Sequence, residues 1–452
     1  MKGKNLIFDA FACKTTKRQP WVPFVGVHGA FLINKNADEY LQSSKLIVAA
    51  ANKAIELYQP DGIPVTFDLQ IEAEILGCNL KWDKQNPPAV ISHPLAEGQT
   101  IEQLHIPTKH EGRIPLVLDA TAALRSQHPN IALYGLITGP FTLALHLLGT
   151  DAFLMMFTDP EKLHQVMLFT EKVAIAMASY YLDAGADIIA VVDPMTSQID
   201  CDSFTTFVSP YCSELFKSIK TKQGKSSFFV CGNAMQNIEA MCLCGPDNIS
   251  IDENIPLDYV RDIALNNNVS FGGNLKLTVS LLMGSADDAG RDALECMQTG
   301  GNKGFILAPG CDLAFSTPPE NLIAVSELVH DEYKRELLRL KKIEKGKYKA
   351  TDISERYSNE KVIIDIITLD SSSCAPCQYM VEAVKNAVNS LNLNDKVEYY
   401  EFRIKDRKGI EMMMALGVQN LPTICINGKV EFISVIPPKD HLMNRICEYY
   451  KQ

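Results

Sequence analysis

Two cysteines each close an apolar, strand-like run. FFVCGNA places Cys231 at the end of one run, and FILAPGC places Cys311 at the end of another. If both runs belong to one barrel, both thiols lie on the same rim. Soft thiolates select Zn2+, Cu(I) or iron–sulfur clusters. Two thiolates and one nitrogen or oxygen ligand leave a tetrahedral zinc with an open position, the catalytic arrangement. Such a zinc binds a substrate thiol and deprotonates it, making a nucleophile at neutral pH. Phe229, two residues before Cys231, stands where a third ligand would be expected, and phenylalanine cannot bind a metal. A second thiol pair, Cys374-Ala-Pro-Cys377, lies between the β-run VIIDIITLD and the helical pattern QYMVEAVKNAVNSLNL. A helix N-terminus favours the thiolate of the first cysteine. The second can resolve a mixed disulfide.

The elements that must position these groups alternate. Eight β-rich runs are VPFVGVHG, IPVTFD, LYGLITG, DIIAVVD, SFFVCG, ISID, VSFGGN and GFILAPG. Helical periodicity fills the stretches between them, with Ser or Asp at several starts and Gly at several ends. Strands alternating with helices predict a parallel sheet, and eight units predict an α/β fold of the (β/α)8 type. An open doubly wound sheet is the alternative, but no GxGxxG or Walker loop accompanies it. In such barrels the chemistry sits at the C-terminal strand ends. Those ends carry His28, Asp68, Thr138, Asp193, Cys231, Asp252, Asn274 and Cys311, with Glu72 and Glu74 just beyond the second run. His28, Asp68, Asp193, Asp252 and Asn274 are the substrate-binding candidates. Each has a plainer reading: His28 as a core histidine, Asp252 as a turn cap, Asn274 as a loop-backbone partner.

The chain has 452 residues, 46% of them hydrophobic, which predicts two or three domains with sizeable cores. The expected division is a barrel over 1–340, a charged linker over 341–360 and a small domain over 361–452. A net charge of −11 without a basic block argues against nucleic-acid binding. No apolar run reaches the roughly 20 residues that span a bilayer, and Asp9 breaks the N-terminal apolar stretch, so a cytoplasmic chain is expected. Thirteen irregularly spaced cysteines then read as mostly reduced. Cys13, Cys78, Cys201, Cys212, Cys296 and Cys447 read as small structural residues.

The C-terminal segment resembles the thioredoxin family. CAPC sits in βα context, and Leu421-Pro422-Thr423 precedes a later strand, where the family has a cis proline beside the dithiol. The resemblance implies dithiol–disulfide exchange by Cys374 and Cys377. Ser373 replaces the tryptophan often found before the first cysteine, and a zinc clip or a fold-only domain is the alternative. Cys425 reads as a strand-core residue.

Over residues 15–340 the segments GPFTLALHLLGTDAFLMMFTDPEKLHQVM, VCGNA, ISIDENIPL, FGGN and ILAPGCDLAFSTPPENL occur in an order that resembles the uroporphyrinogen decarboxylase superfamily. The nearest branch is the cobamide-dependent methyltransferases. There the resemblance implies zinc on a His-x-Cys and on a later Cys in a PGC segment. Cys231 and Cys311 match those cysteines, and Phe229 replaces the histidine. Zinc is then lost, or His28, Glu72 or Asp252 supplies the missing ligand, or the two thiols form a metal-free redox pair. The decarboxylases carry an arginine-rich N-terminal segment. KRQPWVPFVGVHGAFLINK has Arg18 but not the later arginines, which argues against tetrapyrrole decarboxylation.

The leading expectation is a zinc-thiolate methyltransferase that moves a methyl group between a corrinoid protein and a small-molecule thiol or methyl donor. The second is a thiol–disulfide oxidoreductase, or a redox-gated barrel enzyme in which CAPC reduces the barrel thiols or those of a partner protein. The third is a non-catalytic binding protein.

Overall fold

The computed structural model describes residues 3–340, 353–357, 361–369, 371, 375–391, 396–404, 406–418 and 420–450. The chain divides into two compact units, Met1–Lys341 and Lys342–Gln452.

The first unit is built on seven parallel strands: β1 Gly62–Pro64, β2 Ala132–Thr138, β3 Ile188–Val192, β4 Lys225–Val230, β5 Asn248–Ile251, β6 Ser270–Leu275 and β7 Phe305–Pro309. They lie side by side in chain order. They are buried along their whole length except at Lys225, because one face meets the barrel interior and the other meets the surrounding helices. The run VPFVGVHG, expected as the eighth strand, does something else. Trp21 bridges Leu307 of β7 in parallel, and its carbonyl accepts the Asp61 N–H at the foot of β1. This extended segment therefore lies between the first and last strands and curls the sheet toward closure. The chain then turns into the short helix His28–Leu32, which places His28 on a helix instead of a strand end. The core runs through the barrel interior from Ile7 and Ala132 to Phe24, Phe67 and Phe229. Among the described residues no single helix is long and apolar enough to cross a membrane. The apolar pair Pro140–Leu148 and Asp151–Thr158 is bent by 102°.

The second unit has four strands: β8 Val362–Thr368, β9 Val397–Arg403, β10 Thr423–Ile426 and β11 Lys429–Ile433. Their order is β9-β8-β10-β11, with β8 and β9 parallel and the remaining pairs antiparallel. Helices Ala375–Leu391 and Lys439–Tyr450 bury Met380, Val384, Leu442 and Ile446 against Ile364 and Ile366.

Candidate functional site

The strand ends bring Cys231 and Cys311 together. Cys231 directly follows β4, Cys311 stands two residues beyond β7, and the two are joined as a disulfide with Cα atoms 5.8 Å apart. That spacing lies in the usual range for a bridged pair. Both cysteines are half-buried and pack on the core below them. The floor there is aromatic: the Phe229 ring lies 4.7 Å from Phe24 and 5.8 Å from Phe67, centroid to centroid. Phe229, on β4 two residues before Cys231, belongs to the interior cluster against which Cys231 packs.

The other predicted rim residues are already engaged. His28 is fully buried, with Nδ1 3.1 Å from the Phe315 carbonyl and Nε2 2.7 Å from the Tyr58 hydroxyl. Burial pushes its pKa down to about 4, so the ring is neutral near pH 7. Glu72 accepts the Thr138 N–H at 3.1 Å and the Thr138 hydroxyl at 2.9 Å. Burial raises its pKa while those donors pull it back. Asp68 pairs with Arg113, whose Nε also donates to Glu74 at 2.7 Å. Asp193 accepts the Phe141 and Thr142 N–H groups at 3.1 and 2.7 Å, so it caps the helix Pro140–Leu148. Its burial moves the carboxyl up to about 6. Asp252 accepts the Gly232 N–H at 2.8 Å, and Asn274 donates to the Asp252 and Ile255 carbonyls at 3.1 and 2.8 Å.

These partners bear on the expected metal centre. Both ring nitrogens of His28 are engaged, the Glu72 oxygens each take a Thr138 donor, and Asp252 takes a backbone N–H from Gly232 and another from Asn254. Among the described residues no group of three His, Cys, Asp or Glu side chains is placed to hold a metal ion. The rim therefore does not fit the zinc expected on Cys231 and Cys311 with His28 or Glu72. The rim carboxylates anchor loops, the plainer of the two readings open for Asp252 and Asn274.

Three residues escaped the sequence reading. Arg113 heads the helix Ile114–Gln127, lies over the Trp82 ring at 4.9 Å, and forms ion pairs with both Asp68 and Glu74. Asp312, next to Cys311, accepts the Gly26 N–H at 2.8 Å, and burial pushes its carboxyl well above the usual range. Glu253 is half-buried beside Asp252 and accepts the Leu277 N–H. The available signal was position: a lone cation heading an apolar helical run, and acids adjoining residues already singled out.

In the second unit, Cys377 is buried on the first turn of the helix Ala375–Leu391, whereas Cys374 and most of the 341–360 stretch lie outside the described residues. The Leu421–Pro422 peptide is cis. Glu401 of β9 accepts the Thr368 hydroxyl at 2.6 Å and both the N–H and hydroxyl of Ser371, three residues before Cys374. Cys425 is fully buried in β10, and burial pushes its thiol up to about 12.

Comparison with known proteins agrees with this architecture. A methylcobamide:CoM methyltransferase of Methanosarcina acetivorans is 28% identical over 58% of this chain and 77% of its own. A uroporphyrinogen decarboxylase of Trichodesmium erythraeum is 26% identical over 63% of this chain and 81% of its own. Among solved structures, a methyltransferase from Methanosarcina mazei superposes with a TM-score of 0.68 at 24% identity, over 74% of this chain and 99% of that one, which supports the barrel fold. The thioredoxin domain model matches residues 362–446, and the uroporphyrinogen decarboxylase (URO-D) model matches residues 2–332. The chain therefore belongs to the uroporphyrinogen decarboxylase family and carries a C-terminal thioredoxin domain.

Proposed function

We propose that the barrel is a methyltransferase working with a corrinoid protein, and that it moves a methyl group to a small-molecule thiol or takes one from a methyl donor. The observation that carries this reading is the pair of half-buried sulfurs on an aromatic floor at the strand ends of a URO-D family barrel. A relative named for methylcobamide:CoM methyl transfer supports it. In the thiol direction, the acceptor thiolate attacks the methyl carbon of the methylcorrinoid substrate. The carbon–cobalt bond breaks, cobalt keeps the electron pair, and a methyl thioether leaves. The chain's own contribution is an apolar, water-poor floor under the reacting sulfur, where a thiolate loses the solvation that dulls it. No step runs through zinc.

The disulfide favours a second component. Cys231 and Cys311 act as a dithiol–disulfide couple that exposes free thiols only when reduced. Reduction consumes two thiols of an external dithiol, yields its disulfide, and leaves one proton on each barrel sulfur. A dithiol of the Cys374/Cys377 kind supplies those electrons.

The first experiment incubates the reduced full-length chain with methylcobalamin and a panel of small thiols. The expected result is loss of methyl from cobalt matched by methyl thioether. A reduced chain that transfers no methyl but releases CO2 from uroporphyrinogen would replace the methyltransferase reading with decarboxylation. For the redox component, Cys377→Ser should trap a mixed disulfide through Cys374, and its absence with every barrel or partner thiol would remove that component.

A further inference from the structure

Cys231 and Cys311 lie on strands that are not neighbours. β5 and β6 separate β4 from β7 in the sheet. At a strand spacing of about 4.8 Å, three steps put β4 and β7 about 14 Å apart. The Cα atoms are nevertheless 5.8 Å apart, so both loops must lean inward across the ends of β5 and β6. The turn after β5 is where they are held. Asp252 accepts the Gly232 N–H at 2.8 Å, directly beside Cys231. Gly232 has φ +94°, the left-handed region that glycine adopts without strain. On the other side, a Cβ added at Gly310, directly before Cys311, would lie 2.6 Å from the Glu253 backbone nitrogen. The PGC loop therefore rests on the same turn. The turn is itself fixed: Asp252 accepts the Asn254 N–H at 2.9 Å, and the Asn274 side chain grips the Asp252 and Ile255 carbonyls.

We propose that Asp252 is a positioning residue that sets how readily the Cys231–Cys311 couple closes, by holding the Gly232 backbone over the end of β5. This rests on the reading of the two sulfurs as a redox couple. It assigns Asp252 no contact with substrate. A carboxylate–N–H bond of this kind is worth a factor of about ten or more in an equilibrium. Closure of the couple should weaken by that factor when the bond is lost.

The test equilibrates the full-length chain with glutathione buffers and scores the Cys231–Cys311 disulfide by differential alkylation and peptide mass spectrometry. Asp252→Ala should move the equilibrium toward the dithiol by about tenfold or more. Asp252→Asn, which keeps a carbonyl acceptor for Gly232 but sets its amide against the Asn254 N–H, should fall between the parent and Asp252→Ala. Gly310→Ala, whose Cβ would press on the Glu253 nitrogen and lie 3.4 Å from the Asp252 carbonyl carbon while keeping the Asp252 carboxylate, should shift in the same direction as Asp252→Ala, and it serves if that variant does not fold. An unchanged equilibrium in folded Asp252→Ala, or an Asn variant as impaired as the Ala variant, overturns the assignment. So does an unchanged Gly310→Ala where it stands in for an unfolded Asp252→Ala. A parent chain whose two cysteines never pair would instead overturn the redox couple itself.

Discussion

At the residue scale, one side chain separates this rim from the ligand pattern expected from the family resemblance. Phe229 fills the position with carbon and packs against Phe24 and, edge-on, against Phe67 instead of offering a nitrogen. Phe229→His restores a donor on the face shared with Cys231. The reduced variant should then retain about one zinc per chain by elemental analysis, against little in the parent, at a stability cost of about 1–3 kcal/mol for burying the imidazole. An unchanged metal content would mean that Phe229 is not what removes the site. Asp193 gives a pH signature. Its carboxyl titrates near 6 in the fold against 3.8 ordinarily, so the folded chain holds that proton more tightly. The stability it contributes is fullest below pH 3.8 and is lost as pH rises through about 6, on the order of 3 kcal/mol in all. Subtracting the pH–stability curve of Asp193→Asn from that of the parent should reveal this fall, and a flat difference would contradict the assignment. Both cysteines were legible as strand ends, because an apolar run that stops at a thiol marks its own boundary. The engagement of His28 was not, since its partners Tyr58 and Phe315 lie 30 and 287 residues away.

At the element scale, the strand ends behaved as the alternation of β and α runs implies, with one exception. VPFVGVHG has the composition of a strand, yet it makes a single bridge to β7 and then turns into a helix at His28. Pro20 and Pro23 lack the N–H groups that a ladder needs, so the segment is held mainly by its carbonyls and by Trp21. The segment between β1 and the helix Ile114–Gln127 is tied down by Arg113, a residue that sequence reading passed over because a lone arginine carries no periodicity. Asp68 is almost fully buried. Removing its partner in Arg113→Ala should cost the barrel about 3–5 kcal/mol, the usual penalty for stranding a buried charge. Urea unfolding followed by a barrel-specific probe checks this, and a loss below about 1 kcal/mol would show the pair to be solvent-screened.

For the whole molecule, the division into a URO-D barrel and a thioredoxin domain was readable from the two motif sets. The meeting of the two sulfurs was anticipated as one outcome for thiols on a shared rim, but the way their loops cross two intervening strands was not. It depends on loops leaning over β5 and β6, a long-range fact that no local pattern records. Under the proposed function, the expected zinc site becomes a couple whose state governs methyl transfer. The most direct test measures methylcobalamin demethylation by the full-length chain with a thiol acceptor, comparing reduced protein with protein whose Cys231–Cys311 disulfide has been verified by mass spectrometry. Transfer should proceed with the reduced chain, fall to background with the disulfide closed, and return on adding a dithiol reductant. Equal turnover in the two states would contradict the account.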